Sequence, residues 1–191
     1  MIPLQGNWAF GFAFDLHTAY SNHLGVDENG NDRFENIYTE MGYLIHSFKY
    51  KNNKNALPNI IKLLNKIEWP ATFDFIIPIP PTDKMRTFQP VTEIAKALGQ
   101  NIGVTVLTDI LVKTPGGRPL KNISEPQERE NTLRETIAVS NDPRVHDKSV
   151  LLIDDLYRSG ATLRISTDLL MKVPKVRVVS VLTMTRTRSH R

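Results

Sequence analysis

Two adjacent carboxylates followed by a short polar turn are the residues of this chain best suited to chemistry. Asp154 and Asp155 follow the apolar run 150–153, and the Ser-Gly-Ala-Thr turn 159–162 opens the next periodic stretch. A helix N-terminus presents unpaired N–H groups and the positive end of the helix dipole, so this turn can hold a phosphate. Its glycine lets the backbone approach the anion, and its two hydroxyls add donors.

The acid pair must serve a different part of the ligand, because carboxylates that face a phosphate repel it. Asp154 and Asp155 can accept hydrogen bonds from two sugar hydroxyls, or they can hold a metal ion. In an open α/β sheet the carboxyl end of a strand faces the crevice in which ligands bind. The pattern therefore indicates a phosphate site beside either a sugar diol or a metal.

The segment 151–163 resembles the phosphoribosyl-pyrophosphate (PRPP) signature of type I phosphoribosyltransferases, and the chain from about residue 44 resembles the ComF group of competence-associated proteins. The resemblance implies that Asp154 and Asp155 are the catalytic carboxylates, which bind the ribose hydroxyls and hold Mg²⁺ directly or indirectly. It assigns the 5′-phosphate to the residues of the following turn, Arg158, Ser159, Gly160, Ala161 and Thr162.

Two further loops resemble family elements that bind the pyrophosphate and close over PRPP. The first follows the apolar run 73–79, and the resemblance places pyrophosphate binding at Pro80, Pro81, Thr82, Lys84 and Arg86. The second is the breaker-rich segment 113–125, which resembles the mobile loop and carries Lys113, Arg118 and Lys121. Arg129 belongs to the segment 128–131, which resembles the Glu-Arg…Asn element that follows this loop in the family, and it is assigned to the anchoring of the loop. Closure of such a loop would exclude water, which competes with the acceptor as a nucleophile.

The chain departs from the family pattern at three points. It has no cysteine, whereas ComF proteins commonly begin with a cysteine-rich zinc ribbon. The segment 86–89 lacks the Gly and Asn of the ComF element Arg-Gly-Phe-Asn-Gln. Arg158 stands where purine-salvage enzymes of the superfamily have an acid beside the base, which argues against hypoxanthine or guanine as the acceptor.

The elements that must position these residues alternate between strand and helix from residue 73 onward. Nearly continuous apolar runs are typical of strands buried on both faces, and Pro90 and Gly99 are expected to begin and end a helix. Further strands are predicted at 104–112, 137–139, 150–153 and 176–182, with a helix at 161–171. Repeated βα units predict an α/β fold, a type I phosphoribosyltransferase-like parallel sheet flanked by helices.

Residues 1–70 are interpreted as an N-terminal cap region, a β-hairpin and two helices, on a phosphoribosyltransferase core of residues 71–191. Alternating large apolar residues in 8–16 predict a strand with one apolar face, which could serve a homodimer interface as readily as a core. The acidic stretch 27–31 predicts a tight hairpin turn, since it lacks the ligand spacing of a calcium loop. Thr39 is expected to cap the first helix.

Composition excludes several other classes of protein. The chain has 191 residues, 24 basic against 20 acidic, and its lack of cysteine excludes a disulfide framework, a zinc ribbon and a cysteine nucleophile. No signal peptide is evident, and no apolar run approaches the roughly 18 residues of a membrane helix, so we expect a cytoplasmic protein without a membrane partner. Asp15 and His17 could line the acceptor pocket, or they are ordinary polar-face residues.

Two functions follow from these observations. The first is a Mg²⁺-dependent phosphoribosyltransferase, a pentosyltransferase that moves the phosphoribosyl group of PRPP to a nitrogen acceptor and releases pyrophosphate. The second is a PRPP-binding module without turnover, with a regulatory role or a role in DNA uptake. A basic C-terminal cluster is the candidate contact for single-stranded DNA: Arg186, Arg188, His190 and Arg191.

Overall fold

A central sheet flanked by helices forms the framework of the computed structural model, which describes residues 1–81, 88–114 and 134–188. The strands are β1 (Ile2–Pro3), β2 (Gly11–Leu16), β3 (Thr18–Val26), β4 (Asp32–Tyr38), β5 (Phe75–Pro78), β6 (Thr105–Val106), β7 (Leu111–Lys113), β8 (Ile137–Val139), β9 (Ser149–Tyr157) and β10 (Val178–Arg186). The helices are α1 (Glu40–Tyr50), α2 (Ala56–Leu64), α3 (Pro90–Ile102) and α4 (Ala161–Lys172), and Pro143–Val145 forms a 3₁₀ turn.

The central sheet has six strands in the order β1-β2-β10-β9-β5-β6, and only the edge strand β1 is antiparallel to its neighbour. The apolar run 150–153 of β9 is fully buried, as expected of a strand covered on both faces. This mostly parallel arrangement confirms the predicted α/β fold class. No helix in the three described ranges is long and apolar enough to cross a membrane.

Successive residues of β9 enter two separate cores. Leu151 and Ile153 pack with α1, α2 and α3 on one face of the sheet. Val150 and Leu152 pack with α4, β7 and β8 on the other face. Because side chains alternate along a strand, the continuous apolar run supplies both cores at once. The helices that follow β5 and β9 thus lie on opposite faces of the sheet.

The N-terminal region contributes to the central sheet as well as to a separate hairpin. β2 pairs in parallel with β10, so the prediction of a single strand from residue 8 to 16 is corrected to a strand that begins at Gly11. Phe12 packs in the α1 core and Trp8 in the α4 core, since both faces of the sheet are covered. The division of the chain into a cap and a core at residue 70 stays a prediction. The central sheet contains strands from both sides of this residue.

β3 and β4 form the predicted hairpin. The Asp27 carboxylate accepts hydrogen bonds from the backbone N–H groups of Asn29 and Asn31, at 2.8 and 2.9 Å, which confirms the turn. The hairpin leaves large apolar side chains exposed, among them Tyr20 and Phe34. The predicted homodimer stays a prediction.

Two predicted boundaries near α3 are wrong. The helix continues past Gly99 to Ile102 and is capped by Gly103, which has a φ of 72° and so takes the left-handed conformation. Gly99 serves packing instead, since a Cβ there would lie 2.6 Å from the Val104 carbonyl oxygen. The predicted strand 104–112 is split between β6 in the central sheet and β7, which pairs antiparallel with β8.

Helix α1 is attached to the end of β2 by its first turn. The Thr39 hydroxyl accepts a hydrogen bond from the N–H of Gly42 at 3.0 Å, which confirms the predicted cap, and donates one to the Leu16 carbonyl at 2.6 Å. A Cβ at residue 42 would overlap the carbonyl oxygen of His17, so only glycine permits this approach. The position of α1 relative to the sheet therefore depends on Gly42.

We expect Gly42→Ala to lower the free energy of unfolding by about 2–3 kcal/mol, because the new methyl group must push α1 away from β2. Glu40→Ala is the matched control, since Glu40 is exposed in the same turn and its loss should cost less than about 1 kcal/mol. Urea denaturation monitored by circular dichroism measures both. Equal effects of the two substitutions would contradict the close approach of α1 to β2.

Candidate functional site

The site lies at the carboxyl ends of β5 and β9. The chain leaves β5 for α3 on one face of the sheet and leaves β9 for α4 on the opposite face. Such a reversal opens a crevice between the two strand ends, and open α/β sheets bind their ligands there. Fold topology alone therefore places a candidate site beside Asp154 and Asp155.

β9 does not end at the acid pair, which corrects the prediction. Its pairing with β5 stops where the N–H of Ile79 donates to the Ile153 carbonyl at 2.8 Å, but its pairing with β10 continues to Tyr157. Asp154 and Asp155 therefore stand on a step where β9 extends beyond the described part of β5. Because they are neighbours on a strand, their side chains are directed toward opposite faces of the sheet.

A cavity of 340 Å³ opens at this step. Its lining residues come from α1, the end of β5, the start of α3, β7, β9 and α4. They are Lys49, Ile79, Pro80, Pro81, Gln89, Pro90, Val91, Thr92, Lys113, Asp154, Asp155 and Thr162. The cavity thus brings together six of the predicted site residues, namely Pro80, Pro81, Lys113, Asp154, Asp155 and Thr162.

The other predicted site residues divide into two groups. Arg158, Ser159 and Gly160 form the turn between β9 and α4, and Ala161 is the first residue of α4; none of the four lines the cavity. Thr82, Lys84 and Arg86 of the predicted pyrophosphate loop, and Arg118, Lys121 and Arg129 of the predicted mobile loop, lie outside the described residues.

The turn before α4 has a backbone that requires glycine. Gly160 has a φ of 75°, and a Cβ there would lie 2.6 Å from the Tyr157 ring. The Arg164 guanidinium donates to the Ser159 carbonyl at 2.9 Å and holds the turn against the first helical turn. The N–H groups that begin α4 therefore face the same edge of the sheet as the acid pair, and a helix of this length favours an anion there.

Two lysines approach the acid pair, one from each face of the sheet. The Lys49 ammonium of α1 lies 2.5 Å from Asp155 Oδ2, and the two side chains are 28% and 8% exposed. Lys113 of β7 lines the cavity and interacts electrostatically with Asp154. Lys49 is ambiguous in the sequence and is not among the predicted site residues, because a lysine at the end of a helix is favoured by the helix dipole alone.

The electrostatics of the pair follow first from burial and then from the closeness of two like charges. Burial and the adjacent Asp155 carboxylate raise the pKa of Asp154 to about 7, although the Asp155 N–H donates to Asp154 Oδ1 at 2.8 Å. Burial lowers the pKa of Lys49, but the Asp155 carboxylate, together with Tyr50 and Asp154, outweighs burial and the net result is a raised pKa. Burial lowers the pKa of Lys113 against the opposing effect of Asp154. Lys49 therefore stays an ammonium ion beside Asp155.

His17 lies beside the same edge of the sheet, at the end of β2. Its Nδ1 lies 3.0 Å from the hydroxyl of Thr185, which in turn donates to the Asp155 carbonyl at 3.2 Å. Burial lowers the pKa of His17, and the Asp155 carboxylate opposes this effect. The ring of His17 also meets Tyr38 edge-on at 5.3 Å. A neutral imidazole therefore joins the ends of β2, β10 and β9.

The carboxylate oxygens at the site suit a hard cation such as Mg²⁺ that takes its remaining ligands from phosphates and water. Carboxylate oxygens are the ligands that Mg²⁺ prefers, and it commonly takes one or two from the protein and the rest from phosphates and water. No group of three or more His, Cys, Asp or Glu residues in the described ranges could hold a metal ion. Asp154 and Asp155 therefore fit a cation that arrives together with a phosphorylated ligand.

Comparison with known proteins identifies the fold. No family model matches the chain, and no curated protein matches it by sequence. Among solved structures, the glutamine PRPP amidotransferase of B. subtilis complexed with ADP and GMP has a TM-score of 0.52 at 17% identity, covering 83% of this chain and 35% of that one. The allosteric regulatory enzyme of purine biosynthesis also has a TM-score of 0.52 at 17% identity, covering 83% of this chain and 34% of that one.

The adenine phosphoribosyltransferase of Thermoanaerobacter pseudethanolicus is also similar to this chain, at 16% identity and a TM-score of 0.47, over 87% of this chain and 95% of that one. The fold of the chain is that of the type I phosphoribosyltransferases, as the signature segment predicted. At these identities the likeness extends to the fold, and the ComF group stays a hypothesis.

The raised pKa of Asp154 predicts a pH-dependent cost of ionising the site. An unfolded aspartate ionises near pH 4, whereas folded Asp154 retains its proton to about pH 7. Stability must therefore fall as the pH rises through this interval, with the full cost present above it. We expect Asp154→Asn to raise the free energy of unfolding by roughly 1–3 kcal/mol near pH 8 and to give no gain near pH 4.

The control for this prediction is Asp147→Asn. The Asp147 side chain is 77% exposed and 3.8 Å from Arg177, so its loss should change stability by less than about 0.5 kcal/mol at either pH. Thermal and urea unfolding at the two pH values measure the difference. An Asp154→Asn protein that is less stable than the wild type near pH 8 would refute the crowding of charge.

Proposed function

We propose that the chain is a phosphoribosyltransferase of the ComF group, which binds PRPP and transfers its phosphoribosyl group to a nitrogen acceptor with release of pyrophosphate. One observation carries the proposal. The acid pair and the glycine turn, residues 158–160, meet at the switch point of a phosphoribosyltransferase fold, which is the crevice between the carboxyl ends of β5 and β9. A phosphorylated sugar needs acceptors for its hydroxyls and donors for its phosphate. The acid pair supplies the acceptors, and the turn that follows it along the chain supplies the donors.

The proposed binding mode places each part of PRPP against residues of matching chemistry. The ribose hydroxyls donate to the carboxylates of Asp154 and Asp155. The 5′-phosphate accepts from the N–H groups and hydroxyls of the turn 158–162 at the start of α4. The pyrophosphate lies toward the end of β5, beside Pro80 and Pro81, where the chain continues into Thr82, Lys84 and Arg86. Lys113 supports this arrangement, because it brings positive charge to the cavity from the second face of the sheet.

The reaction needs positioning and electrostatics more than covalent participation by the protein. The C1′–O bond to pyrophosphate breaks, the oxygen keeps the electron pair, and the acceptor nitrogen forms the new bond to C1′ and releases a proton. Positive charge builds on the ribose during this step, and the neighbouring carboxylates stabilise it. Mg²⁺, when held by the acid pair and the phosphates, supplies charge neutralisation at the pyrophosphate.

The acceptor must approach C1′ from the side opposite the pyrophosphate. Since the pyrophosphate lies toward β5, the acceptor side is that of β10 and β2, where Thr185 and His17 lie. Arg158 is exposed at the adjacent turn, and we propose that this cation excludes hypoxanthine and guanine as acceptors. The predicted mobile loop, with Arg118, Lys121 and Arg129, would exclude water from the same reaction.

The alternative is a PRPP-binding module without turnover, with a regulatory role or a role in DNA uptake. In the described part of the basic cluster, the Arg188 guanidinium donates to the carbonyls of Thr18 and Ala19 in the hairpin. This contact gives Arg188 a structural role. Pyrophosphate release from PRPP across a panel of amines and nucleobases separates the enzyme from the module, because only the enzyme releases it.

We expect the wild-type protein to bind PRPP in the presence of Mg²⁺, and the double variant Asp154→Asn, Asp155→Asn to lose at least about 100-fold in affinity. The amides cannot replace the charge of the carboxylates beside the ribose and the cation. Isothermal titration calorimetry measures this loss. A wild-type protein that binds no PRPP, or a double variant that binds it equally well, would overturn the proposed function.

The phosphate turn is tested by two glycines with the same backbone conformation. Gly160→Ala should weaken binding of ribose 5-phosphate at least about tenfold, because the new methyl group meets the Tyr157 ring and displaces the turn. Gly103→Ala is the matched control: Gly103 has a φ of 72°, no atom lies within 4 Å of the position its Cβ would take, and it stands at the far end of α3. Gly103→Ala should introduce a similar backbone strain but leave the affinity for ribose 5-phosphate unchanged. Equal loss in both variants would argue against a phosphate at the turn.

A further inference from the structure

Lys49 is the one charged group lining the cavity, among the described residues, to which the proposed function gives no task. It comes from α1, 106 positions from Asp155 in the sequence, and is largely buried, with 28% of its side chain exposed. A lysine ammonium is seldom withdrawn from water to this extent unless it is paired. Its partner is one of the two carboxylates proposed to bind ribose.

Rigid elements on both sides hold the ion pair in place. Phe48, the preceding residue, is 1% exposed in the core between α1 and the sheet, and it fixes the direction in which Lys49 leaves the helix. The Lys49 ammonium lies 5.7 Å from the Tyr50 ring centroid, so an aromatic face adjoins it as well. At the other end, the Thr185 hydroxyl donates to the backbone carbonyl of Asp155. The contact is therefore built by the fold.

The ion pair restricts what Asp155 can do. A carboxylate has two oxygens, and Lys49 occupies Oδ2, which leaves Oδ1 for another donor. A ribose hydroxyl is a single donor and needs a single oxygen in a fixed direction. The ammonium also offsets one of the two neighbouring negative charges that line the cavity.

We infer that Lys49 is the positioning residue of Asp155, which orients this carboxylate toward the ribose hydroxyls of PRPP and acts on the ligand only through it. The inference rests on the proposed function. It gives the N-terminal region of the chain an indirect part in sugar recognition, through α1 and Asp155.

The test measures the binding of PRPP and of inorganic pyrophosphate, each with Mg²⁺, by isothermal titration calorimetry. Lys49→Met should weaken PRPP binding about 10- to 100-fold, the usual effect of removing a residue that orients a ligating group. Lys49→Arg should restore most of this affinity, since it returns a cation to Asp155. Pyrophosphate has no ribose, so its affinity should stay within about twofold of the wild type in both variants.

Lys51→Met is the matched control for charge. Lys51 follows α1 directly, is exposed, and lies over Tyr43 at 5.9 Å from the ring centroid, away from the cavity. Its substitution should leave PRPP affinity unchanged. A loss equal to that of Lys49→Met would show a general effect of charge and overturn the inference.

A double-variant cycle keeps the test decisive if Lys49→Met is poorly folded, because the variant Lys49→Met, Asp155→Asn leaves no unpaired buried charge. In the Asp155→Asn background, the second substitution should change PRPP affinity by less than about twofold. Additive losses, or a parallel loss of pyrophosphate affinity, would show that Lys49 contacts the ligand itself and overturn the inference. A wild-type protein that binds no PRPP would refute the proposed function instead.

Discussion

The site depends on two neighbouring carboxylates, Asp154 and Asp155, which lie where β9 extends beyond the end of β5. Such a pair is unstable by itself, since burial and mutual repulsion both disfavour ionisation. Two lysines stabilise the carboxylates from opposite faces of the sheet: Lys49 of α1 and Lys113 of β7. The raised pKa of Asp154 shows that this compensation is incomplete. A ligand that brings hydroxyl donors and a cation would complete it.

Several elements that are distant in the sequence help to position the residues around Asp154 and Asp155. α1 can deliver Lys49 only because Gly42 permits the close approach of the helix to the end of β2. β2 in turn lies parallel to β10, and Thr185 of β10 connects His17 to the backbone of Asp155. The N-terminal region and the signature strand are therefore parts of one site, although they are separated by more than half of the chain.

The sequence could predict the parts of the site that are local in the chain. The sequence of acid pair, glycine turn and helix needs only neighbouring residues, and the structure has it, with the one difference that β9 continues through the acid pair to Tyr157. The Lys49–Asp155 contact was not predictable, because a helix-end lysine looks the same whether it faces solvent or a carboxylate. The break between β6 and β7 was missed for a related reason: Leu107 and Ile110 are buried core residues, and their hydrophobicity hides the turn between the strands.

Hydrogen–deuterium exchange of the full chain, with and without PRPP and Mg²⁺, tests whether the acid pair and the glycine turn form one PRPP site. We expect slower exchange at the amides of 154–163, at the acid pair and the start of α4, and at the end of α1 around Lys49. We expect no change in the β3–β4 turn around Gly30, which lies in an exposed hairpin. Protection confined to other parts of the chain, or no protection at saturating PRPP, would contradict a PRPP site at the switch point of the sheet.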